Sequence, residues 1–390
     1  MRAFVFVFCC MLYACGTPVE TTETARPAPD RAAAAAAHMT LTAGAIEPVT
    51  VFEYEDILWS FRFLPDGRMI ATDKAGVLLL IDADGSNAKK ITQGVPTVKN
   101  EGQGGLMDVL PAPDFADNRM VYLSFSMPDE AGNANTAVGR GRLSNDESSL
   151  ENFEVLYAAL PRTDKPYHYG SRMVWGPKDG HLYFTIGDRG DRDVNPQDTT
   201  RDAGKVYRIT KDGDIPADNP FVGVPGAKEA IYSYGHRNPQ SLTVHPATGE
   251  IWETEHGPRG GDEVNIIRPG LNYGWPVITY GINYNGTQIT QIDKKEGMEQ
   301  PLHYWVPSIA PSGMAFVTGD RYPGWTGDLL VGSLKFQRLA HVQLDEENNV
   351  LGEQKVARRV GRVRDVRMGP DGYVYLSAEG TGIVRLEVAE

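Results

Sequence analysis

From residue 46 onward, short apolar stretches alternate with turn-forming clusters, and one unit keeps returning. A Pro-Asp-Gly-like turn is followed by a short strand of alternating apolar residues, often with a second strand behind it. Copies occur at FLPDGRMIATDKAGVLLLID (63–82), PAPDFADNRMVYLSFS (111–126) and WGPKDGHLYFTIGD (175–188). Three more occur at VHPATGEIWETEHG (244–257), RYPGWTGDLLVGSLKFQRLAHVQLD (321–345) and MGPDGYVYLSAEGTGIVRLEV (368–388). Proline sets the first corner, Asp or Lys caps it, and Gly supplies the positive φ of a tight reversal. Alternation after the turn sends every second side chain into a packed layer. Long helical periodicity is nearly absent.

Six regular hairpin units with Gly-rich loops predict an all-β fold, a six-bladed β-propeller over residues 46–390. A β-sandwich or a pair of small β domains rarely carries one turn-strand unit six times. Roughly 345 residues over six blades is about 57 each, more than the ~40–45 of a minimal blade. The excess is expected in loops near 190–230 and 270–310. A propeller closes into a ring around a central channel. Its chemistry should therefore come from loop residues far apart in sequence.

The first residues read differently. Arg2 precedes the apolar run AFVFVFCCMLYA, too short to span a bilayer but suited to a signal-peptide core. The run ends in Leu12-Tyr13-Ala14-Cys15, similar to a lipoprotein cleavage box except that Tyr13 replaces a small or aliphatic residue. Residues 1–14 are thus expected to be a signal peptide and Cys15 a candidate for lipidation. Residues 15–45 are rich in Ala, Pro and Thr with few large apolar side chains, and are expected to form a disordered tether. The expected location is the bacterial envelope, periplasmic and lipid-anchored, or otherwise secreted. Any membrane contact would run through that anchor. With Cys9 and Cys10 lost in the leader, an internal disulfide is not expected.

The 390-residue chain has 38 Lys and Arg against 51 Asp and Glu, a net charge of −13. That balance argues against nucleic acid as a partner. An anionic ligand must be met by a local cluster of cations. Arg237 and Asn238 in GHRNPQ offer a planar fork of donors beside an amide. Lys335 lies in SLKFQRL. Arg362 and Arg364, two apart in VGRVRDV, share one face of a strand, with Asp365 on the other. Such a cation pair calls for an anion or a carboxylate. His168, in KPYHYGSRMVWGP, is a candidate base, though it is one of eight histidines. The segment EHGPRGGDEVN can present carbonyls from Gly257 and Pro258 and carboxylates from Asp262 and Glu263, a donor set suited to calcium. The acidic run DRGDRD (188–193) reads as a solvated loop. There is no GxSxG elbow, P-loop or CxxC.

Taken together, EGQGGLMDV, HYGSRMVWGP, TIGDRG, GKVYRI, YGHRNPQ, EHGPRGGDE, LNYGWP, VPSIAPSGM and RVRDV resemble the soluble PQQ-dependent aldose sugar dehydrogenases, the glucose/sorbosone dehydrogenase family. The resemblance covers residues 46–390. It implies PQQ in the channel mouth with one calcium bound to it, and oxidation of aldose sugars to lactones by hydride transfer. By position it implies His168 as general base, with Gln103 and Arg237 near the reacting carbonyl. It also implies Asn238, Lys335, Arg362 and Arg364 as cofactor contacts and Trp305 stacked near the ring or the sugar. The carbonyls of Gly257 and Pro258 would hold the active-site calcium, and Glu263 with the carbonyl of Tyr273 a second, structural one. An external electron acceptor is the implied partner. Two positions depart from the glucose-specific branch. Tyr167 replaces an Asp before the His, and Leu302 replaces an aromatic before Trp305. The resemblance therefore implies broad aldose use. Two other readings of the residues remain: a calcium-dependent propeller hydrolase, lactonase-like, and a non-catalytic propeller that binds glycans or proteins.

Overall fold

A computed structural model describes residues 45–389. The readings on residues 1–44 — leader, Cys15 and all but the end of the tether — lie outside the described residues. The described chain folds into six sheets of four antiparallel strands. Five blades are continuous in sequence, running over 58–91, 106–158, 173–234, 239–305 and 311–356. The sixth is composite. Its three inner strands come from 363–388, and the outer one is Ile46–Glu53, which pairs from Ile46↔Val388 to Glu53↔Gly382. The two ends of the fold thus close the ring with backbone hydrogen bonds, leaving no open sheet edge at the seam.

The first strand of every blade lies innermost. Leu58–Phe63, Leu106–Pro111, Met173–Trp175, Pro239–Val244, Pro311–Phe316 and Val363–Met368 each contact the next, and the last contacts the first. Each turn unit found in the sequence joins an innermost strand to the second strand of its blade. At the first turn, Gly67 has φ 87° and donates its N–H to the Leu64 carbonyl. This is the left-handed corner that glycine adopts without strain.

The expected alternation weakens in the second strands. Met69–Asp73, Leu182–Ile186, Leu329–Ser333 and Val374–Ala378 are buried at every position. Each blade packs on neighbours through both faces, so both sets of side chains leave water. Outer strands such as Leu150–Ala158 are exposed or half-buried at all but the first position.

The channel is plugged beneath the site. Arg62, Arg172 and Arg367 pair with Asp108 and Asp365 at 3.0–3.3 Å; four of the five lie in innermost strands, and Arg172 directly precedes one. Up-and-down strands place two classes of loop at one end: those entering each innermost strand, and those joining second to third strands. Gln103, His168, Arg237, Asn238 and Arg362 lie in the first class. Asp188, Gly257, Pro258, Lys335 and Glu379 lie in the second. The six-fold ring thereby converges residues spread over nearly 300 positions.

Candidate active site

His168 sits on the loop that enters the third blade, at φ 58°. Such a conformation is uncommon outside glycine and needs outside support. Gln103 provides part of it, accepting the His168 N–H through Oε1 at 2.7 Å and donating its own N–H to the Pro166 carbonyl at 2.7 Å. Gly187 allows close approach from the other side, where a Cβ would sit 2.3 Å from the His168 carbonyl.

The imidazole is backed by Asp188, whose Oδ1 lies 2.6 Å from His168 Nδ1. Gly190 N–H donates to the same oxygen at 2.7 Å, and Trp275 Nε1 donates to Oδ2 at 2.9 Å. Burial by itself would raise the Asp188 pKa, but the His168 contact and Arg237 outweigh it and hold the carboxyl below its usual value. Burial and the nearby Arg237 push His168 down, against the pull of Asp188. The ring is therefore neutral at pH 7. Its Nδ1 proton is committed to Asp188, which leaves Nε2 as the basic atom.

This corrects the reading of DRGDRD as a solvated loop. Asp188 and Arg189 are each 1% exposed. Arg189 donates to the carbonyls of Ala134, Lys165 and Tyr167 and lies 3.5 Å from the centre of the Tyr169 ring, so it grips the segment just before His168. The run reaches solvent from Gly190 onward, with Gly190, Asp191 and Asp193 exposed and Arg192 partly so. Asp188 was missed because a run of charges reads as solvated. The signal was its place directly after the buried strand Leu182–Ile186 and Gly187.

A cavity of about 600 Å³ opens beside His168, bordered also by Gln103, Tyr167, Arg237, Pro258 and Trp275. That volume suits a small organic ligand. Arg237 donates through Nη1 to the carbonyls of His256 (2.9 Å) and Gly257 (2.8 Å) and lies 5.4 Å from the Trp275 ring centre. Its backbone N–H is held by Glu255. His256 is kept neutral, its pKa pushed to about 3 by burial and by Arg237, with His168 and Arg364 adding to the effect. Asn238 is fully buried; its Oδ1 accepts from Gly170 N–H, and its Nδ2 has no hydrogen-bond partner.

Arg362 and Arg364 do share a face, and the carboxylate between them is Glu379, at 2.9 and 2.5 Å. Arg362 also donates to the Leu334 carbonyl at 3.4 Å, next to exposed Lys335. Trp305 is placed apart from this centre. It is 6% exposed, packs in the core between the fourth and fifth blades, and donates Nε1 to Glu353 at 2.7 Å. The indole that borders the cavity is Trp275, brought there by the long loop after Asp262–Ile267.

Behind Gly257 lies a void of about 10 Å³, lined by Glu255, Glu263, Tyr273 and Thr279. Glu253, Glu255 and His236 place ligand atoms within 4.8 Å of one another beside it. Burial, then the Glu255 charge, drives the carboxyls of Glu253 and Glu263 well above the normal range. Glu253 Oε1 has no partner. Crowded, buried carboxylates, one of them with an unpaired oxygen, are the donor set of a hard cation. Asp262 is not part of it. Its carboxylate accepts the N–H groups of Gly257, Ile309 and Ala310 and acts as a loop staple.

A closed propeller with a carboxylate-backed imidazole and facing cations at one mouth is the frame of a propeller enzyme. Residues 55–385 match the family model described as glucose/sorbosone dehydrogenase. The chain is 42% identical over 328 residues to the aldose sugar dehydrogenase YliI of Escherichia coli (strain K12), covering 83% of this chain and 88% of that protein. A crystal structure of a glucose dehydrogenase superposes with a TM-score of 0.83 at 44% identity, covering 88% of this chain and 99% of the other. The PQQ-bound aldose sugar dehydrogenase of Streptomyces coelicolor superposes with a TM-score of 0.71 at 26% identity, covering 88% and 98%. The chain belongs to the glucose/sorbosone dehydrogenase family, and it is an oxidoreductase.

Proposed function

We propose that this protein oxidises aldose sugars to lactones with PQQ as cofactor, and that His168 is the general base. The observation that carries the reading is the His168–Asp188 pair at 2.6 Å on the wall of the cavity. It supplies a neutral imidazole with a fixed tautomer, as removal of a hydroxyl proton requires.

The residues present fit both implied groups. PQQ is a tricarboxylate, and Arg237, Arg364, Arg362 and Lys335 would meet its charge in an otherwise acidic protein. The unpaired Nδ2 of Asn238 adds a buried donor without a partner of its own. The Gly257 and Pro258 carbonyls would hold a calcium at the cofactor, displacing the Arg237 Nη1 that lies 2.8 Å from the Gly257 oxygen. Glu263 and the Tyr273 carbonyl, with Glu253 and Glu255 close by, would hold a second. When bound, PQQ supplies the hydride acceptor and calcium a Lewis acid.

The protein's own part is positional and electrostatic. His168 Nε2 takes the proton of the anomeric hydroxyl as the carbon–oxygen double bond of the lactone forms. Asp188 stabilises the resulting imidazolium and keeps the ring from turning. Arg237, on the wall of the cavity, would answer developing negative charge there. Gln103, its Oε1 committed to His168 N–H, has its amide NH2 left for the cavity. Trp275 covers one wall and limits water. Trp305 has no part in this scheme. An external electron acceptor completes the cycle. The Arg2-led apolar run and Cys15 support export and lipid anchoring in a bacterial envelope.

The test adds PQQ and calcium to the apoprotein, then aldoses with an artificial electron acceptor. Sugar-dependent reduction of the acceptor is expected. His168→Ala should bind PQQ yet turn over at least ~100-fold more slowly. Full activity in that variant would remove His168 as the base. Failure to bind PQQ would return the choice to a hydrolase or a binding propeller.

A further inference from the structure

The third blade carries a long connection, 188–204, between its second strand Leu182–Ile186 and its third strand Lys205–Ile209. Asp188 stands at its start, and Gly190 to Asp193 border the cavity. Loops longer than ~12–15 residues without strands or helices are uncommon in compact domains and usually functional. The shape of such a loop must come from groups that reach its backbone.

Lys205, just past the far end of the loop, is fully buried. A buried ammonium is costly unless its hydrogens are bonded. Here Nζ donates to the carbonyls of Asn195 (2.7 Å), Ala203 (2.7 Å) and Pro196 (3.1 Å), and no carboxylate pairs with it among the described residues. Burial pushes its pKa down to about 7, against the pull of Asp198, Asp202 and Asp188. A neutral amine has two hydrogens for these three oxygens, so the cage favours the ammonium form.

Two paths of hydrogen bonds lead from this cage to Asp188. In the first, Asn195 donates Nδ2 to the Asp188 carbonyl at 2.9 Å. In the second, the Pro196 carbonyl also accepts from Gly235 N–H, and the Gly235 carbonyl accepts from Trp275 N–H, both at 2.9 Å. Trp275 Nε1 then donates to Asp188 Oδ2 at 2.9 Å. One path fixes the backbone of Asp188 and the other its carboxylate. Lys205 is where they meet, although it does not itself border the cavity. We propose that Lys205 is a positioning residue: its ammonium sets the loop so that Asp188 Oδ1 meets His168 Nδ1 and Nε2 is left as the basic atom. This role rests on His168 being the base of the dehydrogenase reading. Without the ammonium, three carbonyls lose their donor and the loop relaxes, which carries Asp188 away from Nδ1.

The test places Lys205→Met in the wild type and in Asp188→Asn, each loaded with PQQ and calcium. In the wild type, kcat for glucose should fall about 10- to 100-fold, the effect of a small misplacement in a catalytic array, while KM stays within about twofold. In Asp188→Asn the same change should cost less than about threefold, because the group that Lys205 positions is already disabled. A residue that only supports the fold would cost the same factor in both. If Lys205→Met does not fold, Asn195→Ala replaces it in both backgrounds; it removes the Nδ2 link, keeps the carbonyl, and should give a smaller fall of the same pattern. A second arm needs no turnover. Nitrogen-15 NMR of histidine-labelled, cofactor-free protein at neutral pH should place the His168 proton on Nδ1 in the wild type and on both nitrogens in the variant. The His168 signal is identified by its loss in His168→Ala. If aldoses are oxidised and the variant lowers kcat equally in both backgrounds or not at all, Lys205 does not position the base, and the dehydrogenase reading survives. If no aldose is oxidised but the variant moves the His168 proton, the positioning role stands and the dehydrogenase reading fails.

Discussion

Replacing Asp188 by Asn changes one atom and should disable the enzyme. Three N–H groups converge on this carboxylate: His168 Nδ1 at 2.6 Å and Gly190 N at 2.7 Å on Oδ1, and Trp275 Nε1 at 2.9 Å on Oδ2. An amide has one acceptor oxygen and one NH2. If the NH2 takes the Oδ2 place, it faces the Trp275 N–H, donor against donor. A buried donor left unpaired costs about 1–3 kcal/mol. If the NH2 takes the Oδ1 place, it meets the Gly190 N–H and forces His168 to present a lone pair at Nδ1. The proton then sits on Nε2, and the base is lost. Either way the charge that stabilises the imidazolium is gone. The same carboxylate-to-amide change in the serine-protease triad lowers kcat about 10⁴-fold through the wrong tautomer. The expected fall here is about 10²- to 10⁴-fold in kcat, roughly 3–5 kcal/mol at ~1.4 kcal/mol per decade. Steady-state oxidation with an artificial acceptor reads the rate, and an absorbance titration with PQQ reads cofactor binding. PQQ should still bind, because the Asp188 carboxylate bonds to His168, Gly190 and Trp275 and to none of the cations assigned to the cofactor. Turnover within threefold of wild type, with PQQ bound normally, would refute the role of the pair.

Other outcomes follow from the same geometry. His168 is active when neutral, and burial with Arg237 lowers its pKa while Asp188 opposes them. Activity should therefore hold as pH falls to about 6.5 and be lost below it, with the acid limb of kcat/KM centred under the ordinary value of ~6.5. A midpoint at or above 6.5 would contradict the burial argument. Chelator should lower the melting temperature by about 5 °C, the effect of losing a ligand held at ~100 times its Kd. Calcium should restore it, and Glu263→Gln should abolish the response; a chelator-insensitive wild type would leave the buried carboxylates without their cation. Arg364→Met should weaken PQQ binding at least tenfold and steepen no other defect than that of Glu379, left with Arg362 alone. Unchanged PQQ affinity by titration would take Arg364 out of the cofactor site.

The turn units show how much was local. Proline, Asp and Gly set a reversal within four residues, so six copies announced six blades before any contact was known. The family marks were equally local, being short runs of sequence. Which strands close the ring was not legible, since Ile46–Glu53 carries no sign that its partner is the far C-terminal strand. Nor was the full burial of strands such as Leu182–Ile186, which depends on what packs against each face.

The site itself divides along the same line. His168, Arg237 and the Arg362/Arg364 pair could be singled out from residue type and spacing, because a base and a cation cluster are chemical facts of the side chains. What surrounds each was decided by tertiary structure. Asp188 reads as one charge in a solvated run, yet it is buried because Trp275, 87 positions on, closes over it. Trp305 reads as an aromatic for the cavity, yet its strand lies at the outer edge of a blade and its indole faces Glu353. The anion between Arg362 and Arg364 is Glu379, from the loop joining the second and third strands of the same blade. Burial and pairing are sums over neighbours brought in by ring closure. A sequence states which groups can react, while the closed ring decides which of them meet, and in what dielectric.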